Sequence, residues 1–271
     1  MSAWPERSLT APLQSLLERA SAFVLEPPPP GEAPPVPLVR EAPPVPLVRE
    51  APPVREAPPV PLVREAPPHR APPRPVVAVL ALAPRAGAST LARALAARLA
   101  GLDPCGAAVL FTGSPPRGAP PTAAAVRLAR RLQSCGCEAG RPVGRLAPVT
   151  AGEPLALAAA GAEAPLVVDA GHGSPSEAAV ALADHVVLVG TPEVEPALAA
   201  AVEAALREAG HAVSLVLARA IAEPPPRLAH ALAVPESRLA AQLTLAGRGP
   251  RGALAAPIAE LAERSLEHAR R

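Results

Sequence analysis

The chain contains no lysine, no asparagine and no tyrosine. All 26 of its Lys-plus-Arg positions are arginine. The composition resembles that of a GC-rich, codon-biased genome, but a lysine essential to catalysis would be expected to resist such bias. Arginine is not its equivalent, being a planar, permanently charged fork where lysine is a compact point charge. Aromatic residues are almost missing: Trp4, Phe23 and Phe111 are all there are. The core must therefore be built from Leu, Val and Ala, with small volumes and close elements.

The three cysteines, Cys105, Cys135 and Cys137, are too few for a secreted disulfide framework. Cys135-Gly-Cys137 is too closely spaced for the common zinc pattern and has no histidine cluster beside it. Free thiols in a reducing cytoplasm are expected. No apolar run reaches the ~18 residues of a membrane span. The start, Trp4-Pro5-Glu6-Arg7, lacks the apolar core of a signal peptide, which points to a cytoplasmic protein. The formal charge of +2 is too small to argue for a nucleic acid or an acidic membrane by itself.

Three regions follow one another in the 271 residues. In residues 1–26, Leu9, Leu13, Leu16, Leu17, Ala20 and Val24 recur near the helical period and suggest a short amphipathic helix. Pro12 is tolerated in its first turn. Such a helix either docks on its own domain or serves as a motif for a protein partner. Residues 27–75 hold nearly half of the 41 prolines. Glu41–Arg49 repeats the nine residues before it, Glu56–Arg64 is another full copy, and Glu50–Arg55 is a shortened one. Proline excludes helix and interior strand. The expected state is a disordered, extended polyproline II tether of roughly 150 Å at ~3.1 Å per residue. It acts either as a spacer or as a Pro-x-x-Pro ligand.

Residues 76–271 alternate apolar runs with helical patterns. Strands are expected at Val76–Leu82, Ala107–Phe111, Leu166–Asp169, Val186–Val189 and Ser214–Leu217, and helices at Ser89–Ala100, Ala123–Ser134, Ser176–Ala183, Val194–Ala209 and Ala253–Ala269. This is an α/β pattern: a mainly parallel sheet covered on both faces, with ligands beyond the carboxyl ends of its strands. Gly87, Thr112 and Asp169 all fall at such ends in this reading.

The most informative stretch runs from Val76 through Ala83-Pro-Arg-Ala-Gly-Ala-Ser-Thr90 into Leu91–Ala100. A buried strand, a tight loop and a helix are the layout that turns backbone N–H groups towards an anion. A phosphate-binding loop of this kind usually ends in Gly-Lys-[Ser/Thr]. Here Gly87, Ser89 and Thr90 are kept and Ala88 stands in the lysine position.

These residues, taken in order, resemble the MinD/ParA family of deviant P-loop ATPases, and in particular its CpaE-type and septum-site-determining branch. That branch often carries Gly-Ala-Ser-Thr, as at Gly87–Thr90. Leu166-Val-Val-Asp-Ala-Gly171 resembles the Walker B-like run. Ala183-Asp-His-Val-Val-Leu-Val189 with Thr191-Pro-Glu193 resembles the step after it, and Leu215-Val-Leu-Ala-Arg219 the strand that ends in Asn-Arg. The resemblance covers roughly residues 75–270 and implies a three-layer P-loop NTPase-like domain. It implies a site for ATP and Mg²⁺ built from Arg85, Ala86, Gly87, Ala88, Ser89, Thr90, Asp169 and Gly171, with Ser89 and Asp169 towards the metal. Asp169 is its catalytic candidate.

The departures are specific. Ala83 and Ala88 replace the two lysines of the family loop, and Pro84-Arg85 replaces its glycine pair. Thr112-Gly-Ser-Pro115 replaces the motif whose carboxylates position metal and water, and Ala218 replaces the asparagine that reads adenine. Losing a charge clamp and both switch carboxylates removes most of what accelerates phosphoryl transfer. The expectation is a regulatory or assembly protein of the division, pilus or partition type that acts through a protein partner, with weak or no hydrolysis. Two alternatives stand beside it. One is a working ATPase that takes its cation from Arg85 or from the other subunit of a homodimer. The other is a non-enzymatic scaffold. DNA binding, which the resemblance also allows, would need an arginine patch such as Arg127, Arg130 and Arg131.

His172, near Asp169, reads as an exposed loop residue. Gly171-His-Gly-Ser174 lacks the order of a nucleophile elbow. The last helix places Ile258, Leu261, Ala262, Ser265 and Leu266 on one face. With no aromatic there, the face is expected to dock on the sheet and not on a membrane.

Overall fold

The computed structural model describes residues 74–111, 118–151, 154–172, 177–220, 224–238, 242 and 247–270. The N-terminal helix, the Pro-rich repeats and Thr112–Pro115 lie outside them. The element order is β1 (Val76–Ala81), α1 (Ala88–Leu102), β2 (Ala107–Leu110), α2 (Ala123–Ser134), β3 (Glu138–Ala139), β4 (Leu146–Ala151), α3 (Pro154–Glu163), β5 (Leu166–His172), α4 (Glu177–Leu182), β6 (His185–Gly190), α5 (Pro196–Glu208), β7 (Ala212–Ala218), β8 (Leu232–Val234) and α6 (Ala255–His268).

The strands form one sheet in the order β3-β4-β2-β5-β1-β6-β7-β8. Every pairing is parallel except β3 with β4. β1 is central, and its Val77, Ala78 and Val79 are fully buried, as an unbroken apolar run demands of a strand covered on both faces. Alternation along the strands sorts the core into two faces. Val77, Val79, Val109, Phe111 and Val167 pack with α1 and α6. The other face takes Ala78, Leu80, Leu166 and Val168, under α2, α3, α4 and α5. The domain is a three-layer α/β sandwich.

α1 is buried on nearly every side, through Leu91, Ala92, Arg93, Ala94, Leu95, Ala96 and Leu99. Its alanines let it lie close between sheet and α6. α6 buries Ile258, Leu261, Ala262 and Ser265, so its apolar face docks inward as expected.

Two expectations are corrected. Asp169 does not end its strand. β5 continues to His172, because a bulge pairs Val79 with Asp169 and Leu80 with Gly171 and so absorbs one residue. His172 is not an exposed loop residue either: it is the half-buried last residue of β5, and its Nδ1 lies 3.2 Å from the carbonyl of Ala81 at the end of β1. Three strands and one helix have no counterpart in the sequence reading. β4 carries Pro148 and β3 has only two residues, both poor strand signals. β8 has three residues, and α3 (PLALAAAGAE) is too uniformly apolar to show a helical stripe.

Candidate functional site

The loop between β1 and α1 is short and tied at both ends. Leu82 N–H donates to Val189 across the sheet at 2.8 Å, and Ala86 N–H closes a turn on Ala83 at 3.3 Å. Pro84 contributes no donor. Gly87 takes φ 92° and ψ 10°, a left-handed geometry that glycine adopts without steric cost, and its carbonyl receives the first helical bond from Leu91. No side chain caps α1, and its first turn has no acidic residue. Its leading N–H groups and positive dipole end are therefore open to an anion. Ser89 is exposed there and Thr90 half-buried.

Arg85 adopts φ 57°, although it carries a side chain where such loops use glycine. Its carbonyl accepts a hydrogen bond from the Arg219 guanidinium at 3.0 Å. Arg219, the residue after β7, is also left-handed, at φ 59°. Two strained arginines thus latch the loop to the end of the neighbouring half-sheet. Beside them, Glu193 is held below the usual carboxylate range, first by a hydrogen bond from Thr191, then by its own backbone, and further by Arg219.

A cavity of about 170 Å³ opens beside this latch. Leu91, Ala94, Ala218, Val234, Leu254 and Ile258 form its apolar lining, and Gly87 and Thr90 border it on the α1 side. Arg219, Glu236 and Arg238, all exposed, stand around it. A dry cavity of ~150 Å³ holds a benzene-sized ring, so this volume suits one heterocycle and not a whole nucleotide. Ala218, where the family resemblance calls for the adenine-reading asparagine, does line it.

Asp169 lies apart from the cavity lining, 2% exposed. By the alternation of β5 it shares the α1-facing side with Val167. Its Oδ1 accepts the N–H of Gly171 at 3.3 Å. Of the expected site residues, Arg85 to Thr90 stay together at the helix start, while Asp169 and Gly171 sit on β5, deeper in the sheet.

Arg93 on α1, which sequence reasoning missed, also points into this region. It is buried, with its guanidinium carbon 4.7 Å from the centre of the Phe111 ring. Burial lowers its pKa, and the charge of Asp169 acts in the opposite direction. No periodicity marks it, because α1 is buried almost all round. These residues do not fit a divalent cation: the buried carboxylate already interacts with the charge of Arg93, and Ser89 sits exposed at the helix start.

Elsewhere, Arg127, Arg130 and Arg131 are exposed along α2, with Arg131 paired to Glu163 at 3.0 Å. The three cysteines form no disulfide among the described residues, and burial raises the Cys137 thiol. Among the described residues no group of three His, Cys, Asp or Glu converges on a metal position. No helix among them is long and apolar enough to cross a membrane.

No family model and no curated protein matches the sequence. Solved structures do match the fold. The crystal structure of a ParA family ATPase from Chlorobium tepidum TLS superposes with a TM-score of 0.51 at 16% identity, covering 70% of this chain and 98% of that one. A plasmid partition protein from Borrelia burgdorferi gives 0.44 at 11% identity, over 72% and 96%. A putative plasmid partition protein (BB_S35) from Borrelia burgdorferi B31, bound to AMPPNP, gives 0.44 at 12% identity, over 72% and 98%. The described domain has the P-loop NTPase-like α/β fold that the first of these defines.

Proposed function

We propose that this domain is a ParA/MinD-like positioning or assembly protein of the Gly-Ala-Ser-Thr, CpaE-like type, which binds a nucleotide weakly and hydrolyses it little or not at all. The ring of the nucleotide enters the cavity between α1 and the ends of β7 and β8. Its phosphates lie over the open first turn of α1, at Gly87, Ala88, Ser89 and Thr90, with the Arg85–Arg219 latch and Arg238 nearby. The observation that carries this reading is the ring-sized apolar cavity bordering an uncapped helix start.

Weak turnover follows from composition. With no lysine in the sequence, neither this chain nor a second copy of it has a lysine ammonium to bring to the β/γ-phosphates. Loss of such a clamp typically costs several orders of magnitude in rate. Signalling would then act through a partner that senses the occupied or empty cavity. The tether and N-terminal motif are the natural contact for that partner.

Calorimetric titration with ADP and ATP, joined to a hydrolysis assay, tests the proposal. Binding is expected to be abolished by Ala218→Leu, which fills the cavity. Turnover comparable to an intact family ATPase and lost on Asp169→Ala would overturn the reading, as would wild-type protein that takes up no nucleotide.

A further inference from the structure

The surroundings of Asp169 are set by three elements that share one face of the sheet. Leu110 of β2 is in register with Val168 of β5, so Phe111, the next residue of that chain, falls beside Asp169 on the same side. α1 covers that side and contributes Arg93. A guanidinium is never neutral in a protein, and taking one out of water is expensive unless a counter-charge accompanies it. Asp169, 2% exposed on the same face, is such a counter-charge, and Phe111 supplies a ring for the flat guanidinium to lie on. That ring is one of only three aromatic side chains in the chain.

We propose that Arg93 stands in the place of a divalent cation: stacked on Phe111, it is the fixed counter-ion of Asp169, and the site works without metal. Arg93 is here a positioning residue. It neutralises the carboxylate before any ligand arrives, so an anion over the helix start meets neither a bare Asp169 nor a bound ion. A divalent cation brought to this carboxylate would have to enter beside a guanidinium in a poorly solvated space, where like charges repel strongly. Lysine would keep the charge but lose the flat stacking surface. The inference concerns the carboxylate and not the nucleotide, and it holds whether or not the cavity takes one.

The test is a Mn²⁺ titration of the full chain without nucleotide, followed by the resonance signal of free Mn²⁺. Wild-type protein is expected to show no saturable site that depends on Asp169. Arg93→Met should create one, with affinity raised on the order of tenfold to a hundredfold. Adding Asp169→Asn to Arg93→Met should remove the new site. Arg93→Lys should remain metal-free, which separates charge from mere filling of space. A wild-type Mn²⁺ site that Asp169→Asn abolishes would overturn the proposal, and this comparison does not require the Arg93→Met variant to fold. Thermal stability gives a second readout. Asp169→Asn alone should lower the midpoint by stranding the buried guanidinium, and the double variant should recover part of the loss. Strictly additive losses would overturn the pairing.

Discussion

The two edges of the central sheet use the same side chain for opposite purposes. At the edge where the strands begin, arginines close off backbone. Arg145 donates to the carbonyls of Ala100 and Asp103 at 2.6 and 3.0 Å, satisfying the end of α1. Arg74 bridges Asp103 at 3.2 Å and the carbonyl of Ala162 at 2.8 Å. His185, fully buried, holds Ser265 of α6 and Ser214 of β7 at 2.8 and 2.9 Å. At the edge where the strands end, Arg85 and Arg219 hold left-handed backbone, Arg93 is buried against Phe111, and the start of α1 is left open. The difference teaches where stability is made and where it is spent. One edge commits Arg74, Arg145 and His185 to hydrogen bonds, and the other keeps strain and an uncapped helix start beside a cavity, as ligand sites do.

Acid should break the contrast most strongly, through the strand-start edge. Burial, then the charges of His268 and Arg264, lower the pKa of His185 from 6.5 to about 3. The unfolded chain takes up this proton below pH 6.5 and the folded one resists until about 3. Stability should therefore be unaffected above pH 6.5 and fall as pH drops through that window, by roughly 4–5 kcal/mol when complete. Urea unfolding of wild type and His185→Gln at pH 7 and pH 4.5 checks this. The variant should lose less stability on acidification, by about 3 kcal/mol. The difference between the two proteins also separates His185 from Asp184, whose carboxyl is raised by burial and partly brought back by its hydrogen bond from Val76.

Next in size is Gly106→Ala at the same edge. Gly106 has φ +89°, and an added Cβ would lie 2.4 Å from the carbonyl oxygen of Arg145. A loss of ~3 kcal/mol or more is expected in chemical denaturation. Arg145→Met should cost about 2 kcal/mol, because two carbonyls at the helix end lose a charged donor. At the opposite edge the sign should reverse. Arg85→Gly relaxes a strained, exposed residue while keeping the carbonyl that Arg219 binds, and should stabilise by up to ~1 kcal/mol. A destabilised Arg85→Gly variant would show that the strand-end edge is not strained as described.

Much of this architecture was legible in the residues. Val76–Leu82, a continuous apolar run before Gly87, could only be a strand buried on both faces. The Ala-rich segment after Gly87 could only be a helix packed closely. The C-terminal face of Ile258, Leu261, Ala262 and Ser265 was legible for the same reason: its period was clean. β4 was not, because Pro148 argues against an interior strand, yet its carbonyl still accepts from Gly140 at 2.8 Å. At the site, Ala88 and Ala218 announced missing groups, but nothing local distinguished Arg93 from the other arginines of its helix.

The order of residues alone determined a strand–loop–helix around Gly87 and a chain without an ammonium side chain, since periodicity and composition are local properties. Only the tertiary structure decided that β5 lies between β1 and β2, and that Phe111 falls beside Asp169 under the helix that carries Arg93. Strand order and face follow from which surfaces bury each other best, a property of the whole sheet that no single segment carries.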